Sequence, residues 1–252
     1  MPLLPLEWLS DLIPPLRRKK KFLYAFYTAI LSKSFPYFNK LPSGSKEEFV
    51  RRIHHFRRSK NFHFLEMPEK EDVTVLVSAA AVQLSFGLPE YSFGFFDDIY
   101  IIKSAYTYGS NTTPWAGHVN ERGIHVAWDH VLQGYASDSD GYNVGLHEMA
   151  HALEYEFAYG DFKYDHLQTT RFGNIRRLID EYVLQQSFHP AALFSGHGLT
   201  NYHEAWAESV EFFFEKPAKL NAHYPQVYDG IRRLLKQDPL QWQPAELDAS
   251  RN

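Results

Sequence analysis

Gly145-Leu146-His147-Glu148-Met149-Ala150-His151-Ala152-Leu153 decides how this chain is read. Inside it stands the pattern H-E-x-x-H. Histidines four apart on a helix lie one turn apart on the same face, so His147 and His151 can grip a single zinc ion. Glu148, between them, lies close enough to activate a water on that ion. The flanking residues predict the helix. Tyr142 to Tyr155 contains no proline, its one glycine comes early, and Asp140 or Asn143 can cap its start. Leu146, Met149, Ala150 and Leu153 recur at helical spacing and form an apolar flank beside the histidines. The combination is the apparatus of metal-assisted hydrolysis, and of a zinc peptidase in particular.

Composition narrows the chemistry. A chain of 252 residues makes one large domain, or one domain with an appendage. Its 20 phenylalanines and 16 tyrosines supply a substantial core. A formal net charge of -4 gives no bulk attraction to nucleic acid, so none is expected as a direct partner. The chain has no cysteine, which excludes disulfides and thiolate metal sites and leaves histidine and carboxylate to hold a zinc ion. The same absence fits a cytoplasmic protein. Arg17-Arg18-Lys19-Lys20-Lys21 precedes an apolar run, Phe22 to Leu31, which superficially resembles a secretory leader. The basic run lies too far from the start, no clear small-x-small site follows, and the apolar run is too short to span a bilayer. The expectation is a cytoplasmic protein with an N-terminal helix and no membrane span. Attachment to a membrane surface through the basic stretch is the secondary reading.

Periodicity organises the rest. Ser45 and Glu48 form a capping box ahead of Phe49, Ile53 and Phe56. Asp72 to Phe86 reads as an Ala-rich helix stopped by Gly87 and Pro89. Tyr91–Phe96, Ile99–Ile102 and Gly123–Trp128 read as strands. The loop Ala136 to Gly141 holds two aspartates, but it lacks the spacing of a calcium loop and reads as a solvated turn. Asn174–Ser187, His203–Glu215 and Gln226–Lys236 read as helices. The pattern predicts an α+β fold, mostly helical, with a small mixed sheet beside the H-E-x-x-H helix. Residues 1–70 are expected to form a helical segment packed on the core, 71–240 the catalytic domain, and 241–252 a polar tail.

A catalytic zinc usually takes three protein ligands. The segment Asn201 to Phe214 offers the third. Glu204, Glu208 and Glu211 fall on one narrow stripe of a helix whose other residues are Ala, Trp, Val and Phe. Carboxylates packed into a core need a cation or donors to compensate them. Glu204 is the chosen ligand, with Glu208 as its competitor. Glu208 and Glu211 are otherwise orienting groups. Glu154, seven residues after His147, can accept a hydrogen bond from a ligand imidazole.

Several segments together resemble the Mlc titration factor A family of zinc peptidases. They are Phe86-Gly87-Leu88, Ile99-Tyr100-Ile101-Ile102, Val126-Ala127-Trp128, Asp140-Gly141-Tyr142-Asn143-Val144 running into the motif, and Thr200-Asn201-Tyr202-His203-Glu204-Ala205-Trp206-Ala207. The resemblance covers roughly 20–220. It implies a zincin-like fold of the gluzincin type, related to the catalytic domain of anthrax lethal factor. It also implies one zinc ion on His147, His151 and Glu204, Glu148 as general base, and aminopeptidase-like activity on peptides in the cytoplasm. The family's namesake binds a transcriptional repressor, which makes such a repressor a candidate partner here. The chain departs from the family pattern at two places. Glu154 stands where the family usually has Asp. His197 stands where members carry a tyrosine that would donate to the oxyanion, a role that His197 or the nearby Tyr202 can take.

The leading expectation is therefore a zinc-dependent peptidase in which Glu148 moves the proton, with peptide adding as an extra strand to Gly123–Trp128 if that strand is a sheet edge. The alternative is a regulatory protein that sequesters a repressor and carries a structural or latent zinc site. A zinc hydrolase acting on a non-peptide amide is a third possibility.

Overall fold

The computed structural model of the protein describes residues 14–89, 92–107, 109, 112–160, 166–186 and 193–241, with side chains from 21 onward except at 186. Three helices come first: α1 (Pro14–Ser34), α2 (Pro36–Lys40) and α3 (Ser43–Arg58). Strand β1 (Asn61–Leu65) and helix α4 (Glu71–Ser85) follow. Next come β2 (Asp98–Ile102), β3 (Gly117–Asn120), β4 (Gly123–Ala127) and α5 (Trp128–Ala136). The chain continues through α6 (Val144–Tyr159), α7 (His166–Gln186), α8 (Tyr202–Glu215), α9 (Pro217–His223) and α10 (Pro225–Leu235), then a 3₁₀ turn at Pro239–Gln241. The fold is α+β and mostly helical. Prolines open α2, α9 and α10, where the missing N–H costs nothing. The tail expected at 241–252 lies, from Trp242 on, outside the described residues.

Helix α4 is the axis of the helical layer. Every residue from Val73 to Ser85 is buried, with α1 and α3 packed on one side and α6 on another. Helix α6 is covered in turn by α8, whose Trp206 Nε1 donates to Ala150 O at 2.9 Å. The two helices that carry the candidate site are thus pinned by a buried indole.

The sheet has the order β1-β2-β4-β3, with β1, β2 and β4 parallel and β3 antiparallel to β4. One face presents Ile99, Ile101, Ile124 and Val126 to the core, as period-two alternation requires. The other carries His63, Tyr100, His125 and His118 in register across all four strands. Their rings stack with centroids 4.7, 4.4 and 4.1 Å apart. Strands β3 and β4 lie against α6, which places the sheet's β3 edge beside the H-E-x-x-H helix.

The structure differs from the sequence reading in several places. The expected strand Tyr91–Phe96 is absent: Tyr91 lies outside the described residues, and 92–96 form a turn with Phe93 at φ 47°. The backbone groups that a ladder would use are taken by side chains. Lys60 Nζ donates to the carbonyls of Phe93 and Phe96, and Glu156 accepts from Phe95 N. Strand Gly123–Ala127 is interior, and the edge is Gly117–Asn120. Proline at Ile124 or Val126 would break the sheet rather than probe a docking edge. Strands β1 and β3 and helix α5 are additional to the sequence reading, and α7 starts at His166 rather than Asn174.

The ring ladder gives the sheet a pH dependence. Burial, then the charge of His125, pushes His118 down to about 4, and burial lowers His125. A base with a depressed folded pKa is neutral in the fold, so its stability is present above the unfolded value and lost as pH falls toward the folded one. Between pH 7 and pH 5 that costs about 2 kcal/mol through His118, or about 5 °C in Tm. His118→Phe keeps a ring on His125 and removes the proton uptake. Its fall in Tm over this pH range is expected to be smaller than the wild type's, and equal falls would contradict the account.

Candidate metal centre

Two capped helices build the site. Asn143 caps α6, its Oδ1 accepting from Leu146 N at 3.0 Å, and Asn201 caps α8, its Oδ1 accepting from Glu204 N at 3.1 Å. Each cap fixes where its helix begins, and so where the first functional side chains point. His147 and His151 then stand one turn apart on α6, and Glu204 on the first turn of α8 faces both.

The three groups converge. His147 Nε2 lies 3.1 Å from Glu204 Oε2 and 3.2 Å from His151 Nε2, and the third edge, His151 Nε2 to Glu204 Oε2, is 3.6 Å. A tetrahedral ion with bonds of about 2.0–2.1 Å holds its ligand atoms about 3.3 Å apart. The triangle matches that spacing, and two imidazoles with one carboxylate suit such an ion, so the residues present fit a bound metal. Among the described residues this is the group of three that converges in this way.

The second ring of contacts explains how buried carboxylates are tolerated. Glu211 Oε1 accepts from His147 Nδ1 at 2.8 Å, which fixes the tautomer and leaves Nε2 free for the metal, and its Oε2 accepts from Asn143 N. Glu208 does not reach an imidazole. It accepts from Ser195 N at 2.9 Å, Gly198 N at 3.1 Å and Ser195 Oγ, and so anchors the loop that carries His197. A methyl on Gly198 would stand 2.3 Å from the Glu208 carboxylate, so the loop passes there only as glycine. His197 Nε2 is 2.9 Å from Glu204 Oε2 on an exposed side chain. Glu154 pairs with His203 Nδ1 at 2.8 Å rather than with a ligand imidazole. Tyr202 is buried, with Arg176 over its ring and His203 against it, and its hydroxyl has no hydrogen-bond partner. Those contacts place it in the α7–α8 packing.

Glu215 is the residue that sequence reasoning missed. It accepts from Gly141 N at 2.9 Å and Asn143 Nδ2 at 3.0 Å and holds the approach to α6. The signal was present, because 204, 208, 211 and 215 continue one helical stripe.

Electrostatics follow from the geometry. Burial pushes His147 down, but its hydrogen bonds to Glu204 and Glu211 outweigh that and leave the imidazole well above its ordinary value. Burial works on Glu204 in the opposite sense and is overcome by the two histidines, so its carboxylate is held low. Glu148 has no such donor. Burial, reinforced by Glu204 and Glu211 and opposed by His147, lifts it to about 8. Its Oε2 is buried without a partner. The neighbouring edge strand leaves it room only because residue 117 is glycine, where a methyl would lie 2.4 Å from Glu148 Oε1.

The family model for the glucose-regulated metallo-peptidase M90 matches residues 16–236. The chain belongs to this metallopeptidase family. An uncharacterized protein of Synechocystis sp., slr2042, is 23% identical to it over 247 residues, covering 85% of this chain and 84% of its own. The H-E-x-x-H helix and Glu204 both fall inside the matched span.

The role of Glu211 is open to direct measurement. Glu211→Gln keeps an acceptor for one of the two donors and removes the charge. It is expected to weaken metal binding about tenfold in a competitive chelator titration, with helical content retained. Unchanged affinity would deny Glu211 its orienting role.

Proposed function

We propose that this protein is a zinc-dependent peptidase of aminopeptidase-like action, with one zinc ion per chain held by His147, His151 and Glu204. The observation that carries the reading is the ligand triangle with the unpartnered carboxylate of Glu148 buried beside it. A zincin-like arrangement of residues 71–240 and a cytoplasmic location accompany this reading.

Bound zinc supplies Lewis acidity, which lowers the pKa of a water and polarises a carbonyl. The rest falls to the chain's own residues. Glu148 takes the proton of the attacking water and delivers it to the departing amine. Its raised pKa favours proton uptake, and a cation held by the neighbouring ligands would lower that pKa and favour the ionised carboxylate that a base needs. Glu211 keeps His147 in the ligating tautomer. His197, on the loop anchored by Glu208, is the donor for the oxygen on which negative charge develops. Tyr202 is left with packing. The substrate lies along the β3 edge strand, where main-chain pairing gives affinity with little demand on side chains, and Gly117 keeps that strand close to Glu148.

Glu148→Gln should keep about one zinc per chain and lose roughly 10²–10⁴-fold in kcat on amino-acid anilides or short peptides. Gly117→Ala should also keep the metal and lose kcat, because its methyl displaces the base. Undiminished turnover by Glu148→Gln would defeat the mechanism. Zinc in both proteins with cleavage by neither, across a peptide panel, would favour a binding protein over an enzyme.

A further inference from the structure

Helix α1 is built as if its outer side were meant to be covered. Its inner side is ordinary: Tyr27 and Leu31 are fully buried, with Leu23, Tyr24 and Ile30 packed against the same core. An amphipathic helix would then turn charged residues outward. Here Phe22 to Ser32 contains no charged residue, and the outward positions are Phe22, Ala25, Phe26 and Ala29. Phe22 is 74% exposed and Phe26 38%, and their rings lie parallel with centroids 6.5 Å apart. The pair forms one exposed apolar ridge along the helix.

The charge around that ridge is segregated. From Leu12 to Lys46 the sequence holds eight Lys and Arg and no Asp or Glu, although the whole chain is net -4. Five of the eight, Arg17 to Lys21, directly precede Phe22 on the same helix, and Lys33 follows in its last turn. Exposed aromatic residues on a helix with concentrated basic charge suit an interface of apolar tails beneath anionic headgroups. The rings enter the acyl boundary and the cations pair with the headgroups. A purely polyanionic partner such as nucleic acid leaves the phenylalanine ridge in water. Among the described residues no helix is long and apolar enough to cross a membrane, so contact would be at the surface.

We propose that the outward face of α1, centred on Phe22 and Phe26 and flanked by the Arg17–Lys21 run, docks this protein on an anionic lipid surface. Helix α1 packs on α2, α3 and α4, whereas the metal centre stands on α6 and α8. Lipid docking and metal chemistry rest on different helices, and either can fail without the other.

The test is sedimentation of the full-length protein with phosphatidylcholine vesicles, with and without about 30% phosphatidylserine, at low and high salt. Binding is expected only to the anionic vesicles and is expected to weaken with salt. Each basic residue near a charged surface contributes about fivefold. Lys19→Glu/Lys20→Glu/Lys21→Glu should therefore bind at least tenfold more weakly, and so should Phe22→Ser/Phe26→Ser. Both variants should keep the wild-type Tm and metal content, since Lys21, Phe22 and Phe26 are exposed. Failure to bind anionic vesicles would overturn the proposal, as would binding unchanged by loss of the phenylalanine pair. Retention on heparin that equals vesicle binding and ignores the phenylalanines would assign the face to a polyanion. A concentration-dependent dimer abolished by Phe22→Ser/Phe26→Ser would assign it to a second copy of the chain. Either of these also overturns the proposal.

Discussion

The carboxylate of Glu211 is the contact on which the rest of the site depends. One oxygen fixes the imidazole of His147 and the other holds the backbone N–H of Asn143, the residue that caps the helix His147 belongs to. A single buried group thus sets where α6 begins and which nitrogen its first histidine offers. The same logic runs along α8. Four glutamates enter a largely apolar environment, which is costly for each unless donors answer it. Glu204 is answered by imidazoles, Glu208 by the backbone of the 195–198 loop, Glu211 by His147 and Asn143, and Glu215 by Gly141 and Asn143. The helix acts as a rail of acceptors that sorts neighbouring segments by their N–H groups.

Glu148 is the exception that this arrangement protects. It is as buried as Glu211 but has no donor on Oε2, and the glycine at 117 keeps the edge strand off its other oxygen. Leaving a buried carboxylate unanswered lowers stability, and this is the group that the proposed mechanism uses as its base. The apolar flank Leu146, Met149, Ala150 and Leu153, all buried, anchors the helix that bears this liability.

Much of the site could be read from the sequence, because its residues sit on helices with a strong period and side-chain caps. The H-E-x-x-H helix announces itself by Asn143 and its apolar flank, and Glu204 by a stripe of carboxylates among aromatics. Less of the sheet could be read. Strands β1 and β3 are short and carry histidine and asparagine where a strand signal wants β-branched residues, and their pairing is visible only across the sheet. The 91–96 segment misleads in the other direction. Its aromatic residues look like a strand, but Phe93 and Phe96 are core plugs on a turn held by Lys60. Strand order is not a property of local sequence, so the interior position of Gly123–Ala127 and the edge position of Gly117–Asn120 emerge only in the fold. The loop function of Glu208 was equally hidden, since its partners are backbone groups 10 and 13 residues away in a segment without periodicity.

The most direct test of the central claim is anomalous diffraction at the zinc edge from crystals of zinc-replete protein. The account predicts one strong peak per chain, about 2.0–2.2 Å from His147 Nε2, His151 Nε2 and a carboxylate oxygen of Glu204, with Glu211 still on His147 Nδ1. A peak ligated by Glu208 in place of Glu204, or no peak at the two histidines, would contradict it.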